Sequence, residues 1–486
     1  MIDIENFTFT YSAVGRPVLR DINLKIREGE FVLIVGHSGS GKSTLCRSMN
    51  GLVPHFYGGK INGHVTVDGR DTRKTPPNQL AGTVGMVFQD PENQLVMTNV
   101  ENEMAFGLEN MALPQPEMRE RIAQYSEYFD LARFFKRFIP ELSGGEKQKV
   151  ALASVIAMNP KYIVLDEPTS QLDEETASLF LDFLQKLNQE QNIAIILVEH
   201  RLERCLRYAD RIVYMKDGMV AGDGTKAEML PVLKREGLIA DFHRSTECVG
   251  AEEVVVSAEN ISFCYSKDDV LDKLDLQVRR QEVLAIIGLN GCGKSTLLKH
   301  LNGILRPKNG TVQVMGRDIA QATTASLARD IGYLGQNPNN YLFEETLEKE
   351  LEFTLRNLKI DRSEWKERMD WAMEMLNLEK YRNTFPRELS CGERERAALA
   401  SIIVGRPKIL VLDEPTRGLD YANKLKLATI LESLRAAGMT TIIVTHDYRF
   451  VAEHATRVLS LRGGQLVPTP IQDVVVLAQE IGGVEV

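Results

Sequence analysis

The nine residues Gly36–Thr44 read GHSGSGKST, and the nine residues Gly288–Thr296 read GLNGCGKST. Each stretch has the form G-x-x-x-x-G-K-S and directly follows a continuous apolar run, Phe31–Val35 or Val283–Ile287. Short continuous apolar runs are typical of buried parallel strands. The pattern therefore predicts, twice, a strand, a glycine-rich phosphate-binding loop and a helix that begins at the lysine.

The other motifs also occur twice, in the same order, in the two halves of the 486-residue chain. The matched pairs are LSGGEKQ (Leu142–Gln148) with LSCGERE (Leu389–Glu395), YIVLDEPTSQLD (Tyr162–Asp173) with ILVLDEPTRGLD (Ile409–Asp420), and His200 with His446. The second copy is five residues shorter between the phosphate loop and the glutamine, Gln89 or Gln336. An order-preserving repeat indicates duplication of a whole domain. We predict a first domain at 1–245 and a second at 246–486, joined within the charged and small-residue segment Lys234–Gly250.

Each copy is predicted to be an α/β domain with a helical insert. Further apolar runs predict buried strands at Tyr162–Leu165, Ile193–Val198, Ile409–Leu412 and Thr441–Val444. Downstream of Gln89 and of Gln336, apolar residues instead recur at helical spacing. These residues are Met118, Ile122, Tyr125 and Phe129 in the first copy, and Trp365, Met369, Ala372 and Leu376 in the second. We interpret both stripes as packing surfaces of helices.

Composition excludes several classes of protein. The net charge of −9 has the wrong sign for a chain whose main partner is a nucleic-acid backbone. The six cysteines form no C-x-x-C pair, which argues against a disulfide scaffold, an iron–sulfur cluster or a zinc site. The opening residues MIDIENFTFTY alternate apolar and polar, as a strand does and a signal peptide does not. No apolar run approaches the roughly 18 residues of a membrane-spanning helix, so we expect no span within the chain.

The phosphate loops predict a nucleoside triphosphate site in each copy. Glycines allow backbone N–H groups to turn toward the β- and γ-phosphates, and the helix N-terminus adds its positive dipole. The ammonium groups of Lys42 and Lys294 are expected to reach the phosphates, while the hydroxyls of Ser43 and Ser295 are suited to Mg²⁺.

Acidic residues follow the buried strand in each VLDEP segment. Asp166 and Asp413 suit direct or indirect coordination of Mg²⁺. The next residues, Glu167 and Glu414, are predicted to polarise the attacking water, because hydrolysis of a γ-phosphate needs a positioned nucleophile.

With these motifs the chain resembles the nucleotide-binding subunits of ABC transporters, most specifically in LSGGE (Leu142–Glu146). The resemblance covers nearly the whole chain, twice. It implies two tandem P-loop ABC ATPase domains, each with a mostly parallel core sheet, an antiparallel β subdomain and a helical insert. It also implies that ATP and Mg²⁺ lie between two copies paired head to tail, with the phosphate loop of one facing the signature of the other. Fusion of the copies favours pairing within one chain.

The resemblance implies two composite ATP sites. In these sites the rings of Tyr11 and Tyr265 would stack on adenine; the alternative for these two tyrosines is packing within their strands. The nucleotide-binding residues of site one are Tyr11, Gly36, His37, Ser38, Gly39, Ser40, Gly41, Lys42, Ser43, Thr44, Gln89, Ser390 and Gly392. Those of site two are Tyr265, Gly288, Leu289, Asn290, Gly291, Cys292, Gly293, Lys294, Ser295, Thr296, Gln336, Ser143 and Gly145. The implied Mg²⁺ ligands are Ser43, Gln89 and Asp166 in site one, and Ser295, Gln336 and Asp413 in site two. The implied catalytic residues are Glu167 and His200 in site one, and Glu414 and His446 in site two.

The two copies depart from each other in two places that bear on activity. The second signature reads LSCGE, with Cys391 where the family usually has glycine. A side chain there could crowd the closing interface, so one hypothesis is that site one hydrolyses ATP more slowly than site two; the alternative is that cysteine is small enough to be tolerated. The second departure is Glu199, which precedes the first histidine where the other copy has Thr445, and which we expect to be a surface charge.

Two function classes compete: an ATPase that energises membrane import, and a soluble tandem ABC ATPase that acts on ribosomes or nucleic acid. Some members of the second class carry a long basic linker, a cysteine-rich N-terminal cluster, zinc modules or coiled coils. Here the linker is short and contains Glu247, Glu252 and Glu253, and Tyr11 already belongs to the first copy. The sequence therefore favours import and no nucleic-acid partner.

A finer resemblance is to the ATPases of energy-coupling factor (ECF) transporters, which take up vitamins, vitamin precursors and transition-metal ions. The resembling segments are FQDPENQL (Phe88–Leu95), VENEMAFG (Val100–Gly107) and VEHRLE (Val198–Glu203), whereas the second copy reads QNPNNYL (Gln336–Leu342). The resemblance implies two integral membrane partners, a coupling protein and a substrate-binding protein, and a peripheral location at the cytoplasmic face of the cell membrane. In the family, the coupling protein inserts arginine-bearing helices beside these loops. The acids Asp90 and Glu92 suit such helices and the neutral Asn337 and Asn339 do not, so we expect the two grooves to receive different coupling helices.

Overall fold

The computed structural model describes residues 1–12, 15–170, 172–239, 242, 253–265 and 269–482. The chain forms two compact units, unit 1 (Met1–Ala240) and unit 2 (Asp241–Val486). The predicted domain boundary at residue 245 falls on residues 243–252, which lie outside the described residues. It therefore stays a prediction.

Unit 1 contains ten strands and nine α-helices within the described residues. The strands are β1 (Ile2–Tyr11), β2 (Leu19–Ile26), β3 (Phe31–Val35), β4 (Gly59–Val67), β5 (Arg70–Asp71), β6 (Val84–Val87), β7 (Tyr162–Asp166), β8 (Ala194–Val198), β9 (Arg211–Lys216) and β10 (Met219–Gly224). The helices are α1 (Lys42–Met49), α2 (Leu52–His55), α3 (Pro77–Leu80), α4 (Val100–Asn110), α5 (Gln115–Tyr128), α6 (Gly144–Ala157), α7 (Glu174–Gln191), α8 (Leu202–Cys205) and α9 (Lys226–Arg235).

Unit 2 repeats this order over its described residues, except that it has no helix equivalent to α2. The strands are β11 (Val254–Cys264), β12 (Asp269–Arg279), β13 (Val283–Ile287), β14 (Asn309–Val314), β15 (Arg317–Asp318), β16 (Ile331–Leu334), β17 (Ile409–Asp413), β18 (Thr440–Val444), β19 (Arg457–Arg462) and β20 (Gln465–Pro468). The helices are α10 (Lys294–Leu301), α11 (Thr324–Leu327), α12 (Leu347–Asn357), α13 (Arg362–Met375), α14 (Cys391–Ile403), α15 (Tyr421–Ala436), α16 (Tyr448–His454) and α17 (Ile471–Gly482).

Each unit has a mostly parallel six-stranded sheet and a four-stranded antiparallel sheet. The six-stranded orders are β10-β9-β3-β8-β7-β6 and β16-β17-β18-β13-β19-β20, in which only β10 and β20 run antiparallel to their neighbours. The four-stranded orders are β2-β1-β4-β5 and β12-β11-β14-β15. The α/β fold with an antiparallel β subdomain is therefore confirmed.

The central strand β3 explains why its sequence is apolar at every position. Phe31, Leu33 and Val35 pack into a core shared with the helices, whereas Val32 and Ile34 pack into a core shared with the antiparallel sheet. Because successive side chains of a strand point to opposite faces, a strand buried on both faces must be apolar throughout. This burial holds the end of β3, and the phosphate loop that follows it, in a rigid frame.

The helical inserts also form as the periodicity predicts. Met118, Ile122 and Tyr125 lie on α5 and pack on the core, with Phe129 at its C-terminal cap. The second stripe lies on α13, where Met369 and Ala372 are buried. Among the described residues, no helix is both long enough and apolar enough to cross a membrane.

Candidate functional site

In unit 1 the phosphate loop connects β3 to α1 through backbone conformations that require glycine. Gly36 has φ of 154°, and a Cβ atom there would lie 2.3 Å from the Met215 carbonyl oxygen. Gly41 caps α1 with φ of 98°, and no side chain in the described part of the unit caps this helix. The first N–H groups of α1 therefore point into the loop, as an anion site requires.

The loop lysine lies over the same concavity. Lys42 Nζ donates hydrogen bonds to the carbonyl oxygens of Gly36 at 2.7 Å and His37 at 3.0 Å. Ser40 is buried, and no hydrogen bond to its hydroxyl occurs among the described residues. A cationic ammonium, uncapped helical N–H groups and a buried hydroxyl together fit a polyphosphate.

Unit 2 repeats the loop with nearly identical geometry. Lys294 Nζ lies 2.7 Å from the Gly288 oxygen and 2.9 Å from the Leu289 oxygen. Gly288 and Gly293 have φ of 155° and 104°, close to the values of their counterparts. The other predicted loop residues, Ser38, Gly39, Asn290, Gly291 and Cys292, lie on the same two turns. The geometry of the loop therefore fits a phosphate group in both units.

An acidic pair at the end of β7 faces the loop. Ser43 Oγ donates to Asp166 Oδ1 at 3.1 Å. Burial, together with the charge of Glu167, raises the pKa of Asp166 to about 6. In unit 2, burial also raises the pKa of Asp413, against a hydrogen bond from Ser295. Two neighbouring buried carboxyl groups beside a hydroxyl suit a divalent cation, which supplies the missing positive charge.

The small number of donors fits a nucleotide-bound cation better than a closed protein cage. Among the described residues, no group of three or more His, Cys, Asp or Glu side chains is placed to hold a metal ion. Mg²⁺ is usually bound by one or two protein oxygens together with phosphate oxygens and water. Ser43 and Asp166 in unit 1, and Ser295 and Asp413 in unit 2, would hold such an ion and let it neutralise phosphate charge.

The glutamate after each strand is held in an uncommon backbone conformation. Glu167 and Glu414 have φ of 53° and 56°, in the left-handed region that costs a non-glycine residue about 1–2 kcal/mol. Each N–H donates to the end of the neighbouring strand, Glu167 to the Val198 oxygen at 2.9 Å and Glu414 to the Val444 oxygen at 2.7 Å. The bend turns the carboxylate away from the sheet and toward the histidine of the next loop.

In unit 1 two other predicted site residues, His200 and Gln89, contact the Glu167 carboxylate. His200 Nε2 lies 2.8 Å from Glu167 Oε1. Gln89 Nε2 donates to the other oxygen, Oε2, at 2.6 Å. The carboxylate is thus held at both oxygens. One partner, Gln89, comes from a loop that precedes Glu167 in the chain, and the other, His200, comes from a loop that follows it.

In unit 2 the histidine also contacts the Glu414 carboxylate. His446 Nδ1 lies 2.8 Å from Glu414 Oε2. Gln336 is exposed, and its described contacts include no hydrogen bond to Glu414. Tyr333 instead donates to Asp413 Oδ2 at 3.5 Å. Gln89 thus contacts the predicted catalytic glutamate in unit 1, whereas the described contacts of Gln336 include none with Glu414 in unit 2.

The signature serines begin helices in both units. Ser143 caps α6 and Ser390 caps α14, each in a capping box with the glutamate three residues later. Gly145 and Gly392 lie in the first turn of these helices. The position of the Cys391 side chain lies outside what the structure describes, so its effect on activity stays a prediction. Both signatures end at an N-terminus suited to an anion.

The aromatic residues predicted to stack on adenine lie beside the phosphate helices. The Tyr11 hydroxyl lies 3.1 Å from Thr44 Oγ1, and the Tyr265 hydroxyl lies 3.3 Å from Thr296 Oγ1. Thr44 and Thr296 are the second residues after the loop lysines, so each ring is tied directly to the helix that begins the phosphate site.

The expectation that Glu199 is a surface charge is wrong. Its side chain is 3% exposed and accepts hydrogen bonds from the Thr169 N–H at 2.9 Å and the Thr169 hydroxyl at 2.6 Å. At the equivalent place in unit 2, the hydroxyls of Thr416 and Thr445 lie 3.0 Å apart. The residue that precedes each histidine thus fastens the loop after the VLDEP segment. Sequence reasoning misses this role because the partners are thirty residues apart.

Comparison with known proteins places both units in one family. The profile described as ABC transporter matches residues 19–170 and 271–417. A Methanosarcina mazei protein provisionally named ABC transporter ATP-binding protein is 37% identical over 470 residues, which cover 96% of this chain and 94% of the relative. An Enterococcus faecalis protein of the same name is 33% identical, covering 97% of this chain and 91% of its own length.

Two solved structures are also similar. The Clostridium perfringens protein cbiO1, part of the ABC transporter complex cbiONQ, is 31% identical and covers 47% of this chain and 93% of its own, with a TM-score of 0.44. The archaeal ribosome recycling factor aABCE1, solved with the ribosomal stalk protein aP1, is 22% identical and covers 95% of this chain and 89% of its own. Its TM-score of 0.66 shows a shared fold.

Proposed function

This chain belongs to the ABC transporter family of ATP-binding proteins and is an ATPase, and we propose that it energises an ECF-type importer. The cargo class would be a vitamin, a vitamin precursor or a transition-metal ion. The membrane partners would be a coupling protein and a substrate-binding protein. The chain itself would lie at the cytoplasmic face of the cell membrane, with no nucleic-acid partner.

The observation that carries this proposal is a pair of exposed apolar patches on the helical inserts. The first patch consists of Val96, Phe106 and Phe138, and the second of Phe343 and Phe385 with the half-buried Phe353, at equivalent positions of the repeat. Val96 is 63% exposed and Phe138 58% exposed, while Phe343 is 55% exposed. Exposed large apolar groups that recur at the same place in both units indicate surfaces that other proteins cover.

Each patch is held next to the loop that follows the glutamine. Glu103 Oε2 accepts from the N–H groups of Val96 at 2.9 Å and Met97 at 2.7 Å, which fixes this segment on α4. Asn99 pairs with Phe138 through an isolated antiparallel bridge. This bridge brings the exposed side chain of Phe138 to the segment that carries Val96. In unit 2 the rings of Phe343 and Phe353 contact edge to face at 4.7 Å. A partner that presses on either patch would therefore also contact the glutamine loop.

Charge distinguishes the two patches. In unit 1, Asp90 caps the short helical turn Pro91–Asn93, and Glu92 pairs with Lys147 at the start of α6. In unit 2, Asn337 is the cap, and Arg394 donates to Asn339 Oδ1 at 3.3 Å. Unit 1 thus presents the carboxylates of Asp90 and Glu92 at this place, whereas unit 2 presents the amides of Asn337 and Asn339 beside Arg394. This difference supports distinct coupling helices for the two grooves.

The proposed mechanism follows from the site geometry. The two units would pair head to tail within one chain, with Ser390 and Gly392 closing site one and Ser143 and Gly145 closing site two. ATP would contact both units only when they are closed, so its binding favours closure and its hydrolysis releases it. Glu167 and Glu414 would orient the attacking water, held by His200 and His446. The helical inserts would transmit this motion to the membrane partner.

Isolation of the tagged full chain from native membranes tests the proposal. We expect integral membrane proteins to copurify, and Phe138→Asp with Phe385→Asp to release the chain from them while its melting temperature stays unchanged. Leu179→Asp is the matched control, because Leu179 is 64% exposed on α7 and outside both patches. Recovery of the wild-type chain with ribosomes, and without membrane proteins, would instead support the soluble ATPase class.

A further inference from the structure

The five residues by which the first copy exceeds the second lie beside the tyrosine of site one. The segment Leu52–Ile61 reads LVPHFYGGKI, whereas the corresponding segment Ile304–Lys308 reads ILRPK. Both connect the phosphate helix to the strand that pairs with the first strand of the unit. The length difference therefore acts on the surroundings of Tyr11 and Tyr265.

The longer segment lets β4 pair along the whole of β1. Gly59 pairs with Tyr11, and Lys60 pairs with Thr10. A Cβ atom at Gly59 would lie 2.4 Å from the Thr10 carbonyl oxygen and 2.6 Å from the Phe9 ring, so this approach requires glycine. As a result Tyr11 is the last residue of a paired strand.

In unit 2 the pairing stops before the tyrosine. The last described pair between β11 and β14 is Ser262 with Asn309, and β11 ends at Cys264, which pairs with Asp269 of β12. Tyr265 lies beyond the strand and is 61% exposed, whereas Tyr11 is partly buried. The two tyrosines thus make the same hydroxyl contact from backbones that differ in support.

The longer segment also brings a second aromatic ring against Tyr11. Tyr57 packs edge to face on Tyr11, with ring centroids 6.3 Å apart and an interplanar angle of 89°. Phe9 contacts Tyr11 from β1 at 4.7 Å, and the Arg47 guanidinium lies 4.7 Å above the Tyr57 ring. Tyr265 has an equivalent of Phe9 in Phe263, at 5.0 Å, but the short segment 304–308 contains no aromatic residue.

We propose that Tyr57 is a positioning residue that holds the Tyr11 ring as a preformed platform for the nucleotide base, and that site one therefore discriminates for the base more strongly than site two. The inference rests on the proposed stacking role of Tyr11 and Tyr265. A ring already held in its bound orientation loses less conformational entropy when a ligand binds. Edge-to-face aromatic pairs contribute enough to hold it, and the cation over Tyr57 fixes the second ring in turn.

Calorimetric titration of the full chain with Mg²⁺-ATP and with Mg²⁺-tripolyphosphate tests this inference. Lys294→Ala is used as the background, so that binding reports on site one. We expect Tyr57→Ala to weaken ATP binding about 2- to 12-fold, which corresponds to the free energy contributed by one aromatic pair. Tripolyphosphate binding should stay unchanged. Tyr57→Phe keeps the ring and should retain the affinity for ATP. In the Lys42→Ala background, binding reports on site two. There the ratio of the ATP affinity to the tripolyphosphate affinity should be smaller, because segment 304–308 supplies no aromatic ring to hold Tyr265.

Tyr11→Ala distinguishes failure of the positioning role of Tyr57 from failure of the stacking role of Tyr11. Selective loss of ATP binding in Tyr11→Ala, with no further loss in the double variant Tyr11→Ala/Tyr57→Ala, supports the inference. If Tyr11→Ala is selective and Tyr57→Ala is not, or if Tyr57→Ala weakens both ligands equally, the positioning role is overturned. If Tyr11→Ala itself has no selective effect, the stacking role is absent and the inference falls with it.

Discussion

His200 Nε2 lies 2.8 Å from Glu167 Oε1, and the same pair recurs in unit 2, where His446 Nδ1 lies 2.8 Å from Glu414 Oε2. Both carboxylates are less than a tenth exposed. A buried carboxylate that contacts a histidine can accept a proton from water while its orientation stays fixed. The geometry of the pair is therefore consistent with the proposed activation of water in each unit.

Replacement of the two glutamates should lower ATP hydrolysis unequally. Glu167→Gln and Glu414→Gln keep the shape of the side chain and remove its basicity, so hydrolysis at the altered site should fall about 10²- to 10⁴-fold. If Cys391 slows site one, Glu414→Gln removes the larger share of the steady-state rate of the full chain. The measurement is phosphate release at saturating ATP, and equal losses would contradict the asymmetry.

Removal of both loop lysines should abolish nucleotide binding. Lys42→Ala and Lys294→Ala each remove the cation that lies over a phosphate loop, so each should weaken ATP binding at its own site. The double variant should show neither binding nor hydrolysis, as followed by calorimetry and phosphate release. Hydrolysis by the double variant at the wild-type rate would show that the sites are wrongly assigned.

Glu395 makes the stability of unit 2 depend on pH. Burial raises the pKa of its carboxyl to about 8, from 4.5. Between these values the folded protein holds a proton that the unfolded chain has lost, so the free energy of unfolding falls as pH rises, by about 1.4 kcal/mol for each pH unit. The contribution is fully present below pH 4.5 and is lost as pH rises to about 8.

Denaturant unfolding at pH 6 and pH 8 checks this dependence. Glu395→Gln should flatten the pH dependence of the free energy of unfolding, because glutamine does not titrate. Glutamine is expected to fit, since the equivalent residue of unit 1 is the fully buried Gln148. The mirror variant Gln148→Glu should introduce the same dependence into unit 1. An unchanged slope in Glu395→Gln would show that this carboxyl is not responsible.

Loss of the Glu199 carboxylate should destabilise unit 1. Glu199→Ala leaves the Thr169 N–H and hydroxyl without their acceptor, and we expect the free energy of unfolding to fall by about 1–3 kcal/mol. Glu199→Gln retains an acceptor oxygen and should be milder. Thr445→Ala is the comparison in unit 2, where one hydroxyl loses its contacts with the Thr416 hydroxyl and the Asp447 N–H. Equal unfolding curves for Glu199→Ala and wild type would contradict the role of this contact.

Crosslinking should show which helix of the membrane partner lies in the groove beside each glutamine loop. Cysteine introduced as Glu92→Cys or as Asn339→Cys reports which segment of the membrane partner lies beside each glutamine loop. Because one position carries an acid and the other an amide, we expect the two cysteines to capture different helices of the copurified partner. Mass spectrometry of the crosslinked peptides identifies them, and capture of both helices equally at both positions would contradict the proposal.

Much of the architecture could be predicted because local patterns carry it. Gly36–Thr44 specifies a loop and a helix N-terminus through glycine conformations and a fixed lysine position, and the structure begins α1 at Lys42 as expected. The strand Phe31–Val35 forms with the predicted bounds, because a strand buried on both faces is apolar at every position and is therefore easy to recognise in the sequence. The duplication is likewise a property of the linear sequence.

The sequence by itself thus determined the two units, their phosphate loops and the acids that follow the buried strands. Only the tertiary structure decided that Glu199 is buried against Thr169, that Gln89 reaches Glu167 while Gln336 stays exposed, and that β4 extends to Tyr11. The physical reason is that burial and pairing depend on segments that are distant in the chain. A carboxylate is a surface charge or a buried acceptor according to which donors the fold brings to it.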